Sequence, residues 1–311
     1  MTIHCVTPNP AVDVTYRLPT VSLHAVNRID QVTQRPGGKG VNVARLLAAA
    51  GRDVATYGFL GGSTGQQLSD LLHRLQPAIQ QRWTTTASDT RLTIAVVDDR
   101  DTTMFNEPGR AVTDDDWEHL TAAVTAHCGP GDVVTVSGSL PAGSTPGHLG
   151  TLVARSRDAG ATVIVDTSGP ALLAAAHAGA HVLKPNQHEL LEITGATDVQ
   201  QGAAALLDAG CQAVVASLGA DGLLLATSRH AWTARLDEAL SGNPTGAGDA
   251  LVAALAQHLA TGLADTREAA LQDALPDAVG WSAAAVLSPV AGEIDPRVAD
   301  QLTRHVILKE L

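Results

Sequence analysis

The chain has 311 residues, 45% of them hydrophobic but only 3% aromatic, so alanine, valine and leucine must fill the core of one large domain or two modest ones. A formal net charge of -12 excludes a general nucleic-acid or membrane-surface binder, because phosphates would be repelled except at a local basic pocket. Any anionic substrate must therefore meet a few placed arginines and lysines.

In chain order, "TPNPAVD" (7–13) follows the first strand and sets Asn9 and Asp13 just beyond it. A carboxylate there suits a ligand with vicinal hydroxyls, although a solvated turn acid would look the same. "AVDVTYRLP" with "NRIDQVTQRP", and later "RLTIAVVDD" with "TTMFNEPG", read as strands joined by turns with no long helix between them. They predict a small, mostly β insertion from about 11–35 and 89–109. Such a sheet over an α/β body suggests a lid, with apolar faces that a second subunit would cover. Between them, "RPGGKGVNVARLLAAAG" (35–51) is a glycine-rich loop opening a helix. It lacks the Ser or Thr after lysine that a P-loop needs. Gly37, Gly38 and Gly40 would let a small polyol approach the backbone, with Lys39 and Asn42 bonding to it. A tight turn before a buried helix is the structural alternative.

From about residue 130 the pattern changes. "DVVTVSG", "TVIVDTS", "HVLKPN", "AVVASLG" and "GLLLAT" read as strands, and "GHLGTLVARSRDAG", "GPALLAAAHAG" and "QHELLEITG" as helices. This rhythm predicts a mostly parallel sheet with helices on both faces and ligands beyond the C-terminal strand ends. The places to look are "SGSLP", "DTSG", "KPNQHE" and "SLGADG". In "KPNQHE", Asn186 and Glu189 stand three apart at a helix start, where they can share a hydrated Mg²⁺ with phosphates. "SLGADG" (217–222) fits nucleotide contact and a plain hairpin equally well.

The stretch "SGNPTGAGDALVAAL" (241–255) places Asp249 at a helix mouth after Gly246, Ala247 and Gly248. Unpaired N–H groups at a helix start attract anions, and glycine lets a ligand come close. A site that takes a proton from a hydroxyl while charge builds on a phosphoryl group wants both the acid and the donors. A capped helix start would read alike in isolation. The dinucleotide fingerprint fails here, because Leu251 stands where a third glycine should be.

Cys5, Cys128 and Cys211 are odd in number, far apart and set in apolar runs, which predicts structural thiols in a reducing cytoplasm. No basic segment leads into a long apolar stretch at the start, and no apolar run reaches spanning length, so neither a signal peptide nor a membrane span is expected.

In this order, "NPAVD", "GGKGVN", "TR", "SGSLP", "KPNQHEL", "SLGADG" and "GAGDA" resemble the ribokinase-like carbohydrate kinases of the PfkB family, over about residues 2–295. "NPAVD", "GGKGVNVAR" and "SGSLPAG" look most like its hexose-phosphate branch. The resemblance implies a single domain over 1–311, a three-layer α/β sandwich with a mostly parallel central sheet. It also implies a β-lid that clasps a homodimer. It implies ATP and Mg²⁺ as cofactors and a small-molecule hexose phosphate as substrate, with neither nucleic acid nor membrane as partner. The first-choice reaction is fructose 1-phosphate to fructose 1,6-bisphosphate; tagatose 6-phosphate and fructose 6-phosphate follow, and a non-catalytic sugar-phosphate-binding regulator is the reading from another class.

By the same resemblance, Asp249 is the base and the N–H groups of Gly246, Ala247 and Gly248 steady the transferred phosphoryl group. The helix field is expected to keep Asp249 ionised, a weak ground-state base. Asn186 and Glu189 match the metal positions, through water. Lys184, Asn186, Ser217, Leu218, Gly219, Ala220, Gly222 and Gly248 match the nucleotide side. Asn9, Asp13, Gly37, Gly38, Lys39, Asn42 and Ser137 or Ser139 match the sugar side, and Arg28 and Arg91 are candidates for the substrate phosphate. The chain departs from several relatives at Thr93 and Ala95, where an Asn or an Asn and a Lys stand, and at Ala250, where many carry Ser.

Overall fold

The computed structural model of the chain describes residues 1–29, 31–238, 240–262, 266–288, 290 and 292–311. Asp30, inside the expected lid, lies outside the described residues. The first half contains β1 (Ile3–Thr7), β2 (Ala11–Arg17), β3 (Gln31–Gly37), α1 (Lys39–Ala49), β4 (Val54–Leu60), α2 (Gly62–Leu75), β5 (Gln80–Thr85), β6 (Arg91–Val97), β7 (Thr102–Asn106) and α3 (Asp114–Thr125). Next come β8 (Val133–Ser137), α4 (Pro146–Asp158), β9 (Thr162–Asp166), α5 (Pro170–His177), β10 (Val182–Leu183), α6 (Gln187–Thr194), α7 (Val199–Asp208), β11 (Ala213–Ser217), β12 (Leu223–Thr227) and β13 (Ala231–Leu236). The chain ends with α8 (Ala247–Thr261), α9 (Arg267–Leu287), α10 (Pro296–Thr303) and β14 (Val306–Glu310).

A ten-stranded sheet runs β14-β13-β12-β11-β10-β9-β8-β1-β4-β5. From β11 to β5 every neighbour is parallel, and β12, β13 and β14 extend it antiparallel at one edge. The inner strands are continuous apolar runs because both faces are covered. One face carries α1, α8, α9 and α10, with Leu47, Leu251, Leu255 and Leu275 in its core. The other carries α3 to α7 around Trp117, Leu149, Leu172 and Leu206. This is the expected three-layer α/β architecture.

"HVLKPN" forms a shorter strand than its sequence suggests. Regular pairing stops after Leu183 because Pro185 has no N–H to donate; only its carbonyl contributes, accepting from Ser217 N–H at 3.1 Å. The ladder is thereby interrupted at the C-terminal edge, where Lys184 N–H still donates to the Val165 carbonyl at 2.9 Å and a single bridge joins Asn186 to Ser217.

A second sheet, β3-β2-β6-β7, draws on two separate segments. Its outer pairs are antiparallel and the central β2–β6 pair is parallel, so it is two hairpin arms laid side by side. Val12 and Val14 pack with Leu60 and Leu68 beneath it. Because side chains alternate across a strand, Arg91, Thr93 and Asn106 share the opposite face.

Candidate active site

Two glycine loops, the strand ends of the large sheet and the inner face of the small sheet enclose a cleft of about 1270 Å³. Gly38 (φ 103°) and Gly246 (φ 87°) hold conformations that other residues rarely adopt, and each immediately precedes a helix. A side chain at Gly40 would strike the Val6 carbonyl at 2.7 Å, so glycine lets α1 press on the end of β1. At α8 the expected donors are reduced by one. Ala247 N–H is taken by the Pro244 carbonyl at 3.2 Å, while Gly246 and Gly248 keep N–H groups without partners among the described residues.

Behind the loops stands a group of charges. Asp249, 5% exposed, accepts from Asn42 Nδ2 at 2.9 Å. Asp166, at the end of β9, is fully buried; its Oδ1 lies 3.3 Å from both Lys39 Nζ and Lys184 Nζ, and its Oδ2 has no partner among the described residues. Lys184 is 4% exposed, and its Nζ would lie 3.3 Å from a Cβ placed on Gly248. Burial lowers the Lys39 ammonium, but Asp166, Asp249 and Glu189 together outweigh that and hold it above the usual range. Sequence reasoning named "DTSG" as a place to look but not Asp166 itself.

Burial pushes the Asp249 carboxyl up to about 6; Asp166 adds to the rise, while the Asn42 bond and the two lysines oppose it. The carboxyl is therefore still ionised at neutral pH but takes a proton more readily than an exposed aspartate, because its charge sits in a dry pocket beside a second acid.

On the sugar side, Asn9 Nδ2 donates to Ser139 Oγ at 3.2 Å and to the Pro108 carbonyl at 3.1 Å. Arg91 donates to the carbonyls of Asn9 (3.2 Å) and Glu107 (3.1 Å) and to Thr93 Oγ1 (3.2 Å). The acid Asp98, just after β6, is engaged by the N–H groups of Val21, Arg100 and Asp101. Asn9, Gly38, Lys39, Asn42, Arg91 and Ser139 all line the cleft. Asp13 does not; it lies just behind, where Gly37 must lack a side chain to leave it room. Burial raises the Asp13 carboxyl to about 6 against the pull of Arg91, Arg45 and Thr93. Ser137 is wholly buried, so Ser139 is the serine at the surface of the site. Arg28 is exposed between β2 and β3 and does not reach the cleft wall of its own chain.

At the other end, Ser217, Leu218, Gly219, Ala220 and Gly222 form the hairpin between β11 and β12, and the same turn lines the cleft. Val279, Ser282, Ala283 and Val286 of α9 complete this wall; the sequence gives no polar motif there. Asn186 lines the cleft, whereas Glu189 stands behind it. The two form a capping box at the start of α6, Asn186 Oδ1 accepting from Glu189 N–H and Glu189 Oε2 from Asn186 N–H, both at 2.9 Å. Among the described residues no cluster of three or more His, Cys, Asp or Glu forms a ready metal cage.

Comparison with known proteins fits this geometry. Residues 7–296 match the model of the pfkB family carbohydrate kinases. The chain belongs to this family. It is a PfkB-family phosphotransferase. It is 33% identical over 256 residues, 80% of this chain and 81% of the relative, to 1-phosphofructokinase of Escherichia coli (strain K12). It is 27% identical to phosphofructokinase-2 from Escherichia coli solved with fructose-6-phosphate, covering 97% of this chain and 98% of that one with a TM-score of 0.86. The Salmonella enterica aminoimidazole riboside kinase, at 20% identity, 97% and 100% coverage and a TM-score of 0.72, shares the fold with this PfkB chain.

Proposed function

We propose that this kinase transfers the terminal phosphoryl group of ATP to a ketohexose phosphate, with fructose 1-phosphate converted to fructose 1,6-bisphosphate. The observation that carries the reading is Asp249, held by Asn42 at the mouth of α8 beside free N–H groups, in a cleft whose other wall presents Arg91. The E. coli relative named 1-phosphofructokinase supports the choice of substrate. Fructose 6-phosphate and tagatose 6-phosphate are the alternatives.

In this reading Asp249 takes the proton as the acceptor hydroxyl oxygen bonds to phosphorus and ADP leaves. The N–H groups of Gly246 and Gly248, with Lys184, hold the charge of the transferred group. Mg²⁺ brought with the nucleotide would neutralise its phosphates, and Asn186, with Glu189 behind it, would meet it through water. Ser217 to Gly222 and α9 would take the nucleoside. Arg91 and Lys39 would take the substrate phosphate, and Asn9, Asn42, Ser139 and Asp13 the sugar. Arg28 does not contribute within its own chain. The protein is further proposed to act in the cytoplasm as a homodimer joined through the small sheet, each chain a single domain.

A panel of hexose monophosphates assayed for ATP-dependent ADP release tests this. The highest kcat/KM is expected with fructose 1-phosphate. A higher value with another ketohexose phosphate would reassign the substrate, and no ADP release with any of them would favour the non-catalytic regulator.

A further inference from the structure

β10 and β11 connect the catalytic edge to a second cavity. Lys184, just after β10, and Ser217, the last residue of β11, line the cleft; His181 and Gln212 precede these strands and line a separate cavity of about 620 Å³ at the opposite edge. Its other walls are α7, the turn Thr227–Arg229 and the first turn of α9.

His181 is 8% exposed, and its Nδ1 accepts from Val163 N–H at 2.9 Å. An accepting Nδ1 places the proton of the neutral ring on Nε2. That donor has no partner among the described residues. Arg267, half-buried at the start of α9, donates to Gln212 Oε1 at 2.6 Å and to Thr162 Oγ1 at 3.5 Å, both neutral oxygens. Arg229 is exposed at the rim. Behind the wall, Arg157 donates to the Ala178 carbonyl at 2.7 Å, and its buried Nε has no partner.

Two acids border the cavity. Glu268 is engaged by Thr227 Oγ1 at 2.6 Å and His230 Nδ1 at 3.0 Å, and Asp208 is exposed at the end of α7. Among the described residues, Arg267 and Arg157 are therefore left near each other without a carboxylate bonded to either. Burial, then Arg267 and Arg157, holds the His181 imidazole down at about 4. Like charges gathered in a partly dry pocket are costly unless an anion completes them.

We propose that this cavity binds a phosphate group, either free or carried by a small phosphate monoester, at a site separate from the catalytic cleft. The N–H groups that Arg267 does not spend on Gln212 and Thr162 supply the main donors, His181 Nε2–H and the Ser228 hydroxyl complete the shell, and Arg229 closes it from the rim. The volume leaves room for an organic portion beside the phosphate.

The test uses the full-length enzyme with ¹⁵N-labelled histidine, the His181 signal being assigned by its loss in His181→Gln. Inorganic phosphate and glycerol phosphate are titrated against chloride at matched ionic strength. Each phosphate is expected to give a saturable shift of the His181 ring signals. Arg267→Ala should weaken the binding about tenfold or more, and Arg229→Ala severalfold. Arg229 is exposed, so its variant decides the matter should Arg267→Ala misfold. Arg91→Ala, which alters only the catalytic cleft, should leave the His181 shift intact. Tighter binding of glycerol phosphate would mean that the organic portion is held; equal or weaker binding would mean that free phosphate suffices. The proposal is overturned if chloride produces the same shift, if no shift saturates, if Arg229→Ala and Arg267→Ala bind as the wild type does, or if Arg91→Ala abolishes the shift.

Discussion

Asp249 sits at a pKa where a base is useful. A carboxyl near 6 is ionised at neutral pH yet takes a proton more readily than an exposed aspartate. The acid limb of kcat/KM should therefore fall through about pH 6 as Asp249 becomes protonated; a pH profile checks this, and a limb near 4 would mean the pocket is wetter than it looks. Asp249→Asn should lower kcat about 10²–10⁴-fold. The same change should stabilise the fold. The folded pKa lies above the unfolded value, so the native state binds the proton more tightly, and stability is lost as pH rises from about 4 through 6. At about pH 7.5 the variant should gain roughly 1–3 kcal/mol in urea unfolding, and near pH 4 the gain should vanish. Arg91 makes a second case. Its bonds go to carbonyls and a hydroxyl, leaving the cation for a ligand, so Arg91→Ala should raise the KM for the hexose phosphate about tenfold or more. An unchanged KM would remove it from the site. Both residues were legible because each stands in a local motif. Asp166 was not: it ends an ordinary apolar strand, and only the fold brings Lys39 and Lys184 to it from opposite sides in sequence.

At the scale of elements, the start of α6 carries a cap and a proposed metal role that one substitution can separate. Asn186→Ala removes a cap and should cost about 1 kcal/mol of stability by thermal melting. Glu189→Gln keeps an oxygen to accept from Asn186 N–H and so preserves the box, but it removes the charge. Its melting temperature should match the wild type, while the Mg²⁺ needed for half-maximal activity should rise severalfold. An unchanged Mg²⁺ requirement would leave Glu189 with the cap alone. Element reading worked where a period was clean, as in α4, α5 and α6. It missed the role of α9, where residues 279, 282, 283 and 286 are spaced as a core stripe would be. Apolar spacing reports that a face is covered, without saying whether protein or ligand covers it. The strand β10 was overread because a proline interrupts ladder bonding even where the side chains still suit a strand.

For the whole molecule, net charge -12 opposes non-specific anion binding, while the cleft gathers Lys39, Lys184 and Arg91 in one place beside Asp166 and Asp249. The small sheet ties that cleft to assembly. Its inner face brings Arg91, Thr93 and Asn106 to the cleft. On its outer face Tyr16 opposes Val32 and Val96, and Ile94 opposes Phe105, so these side chains form one apolar strip. Val12 and Val14 of that strip rest on the core, but Val32 is 54% and Phe105 58% exposed. Large apolar groups left at the end of a half-covered strip are what a second copy would bury, in an interface of about 800 Å² per partner. Light scattering at micromolar concentration should therefore give a homodimer. Phe105→Glu should shift it to monomer, because a carboxylate would have to be desolvated in the joint. As the same four strands present Arg91 to the substrate, the monomer should also show a raised KM for the hexose phosphate with little change for ATP, whose proposed wall lies on α9 and the β11–β12 turn. A wild-type monomer with full activity, or a Phe105→Glu dimer with an unaltered KM, would place the interface elsewhere.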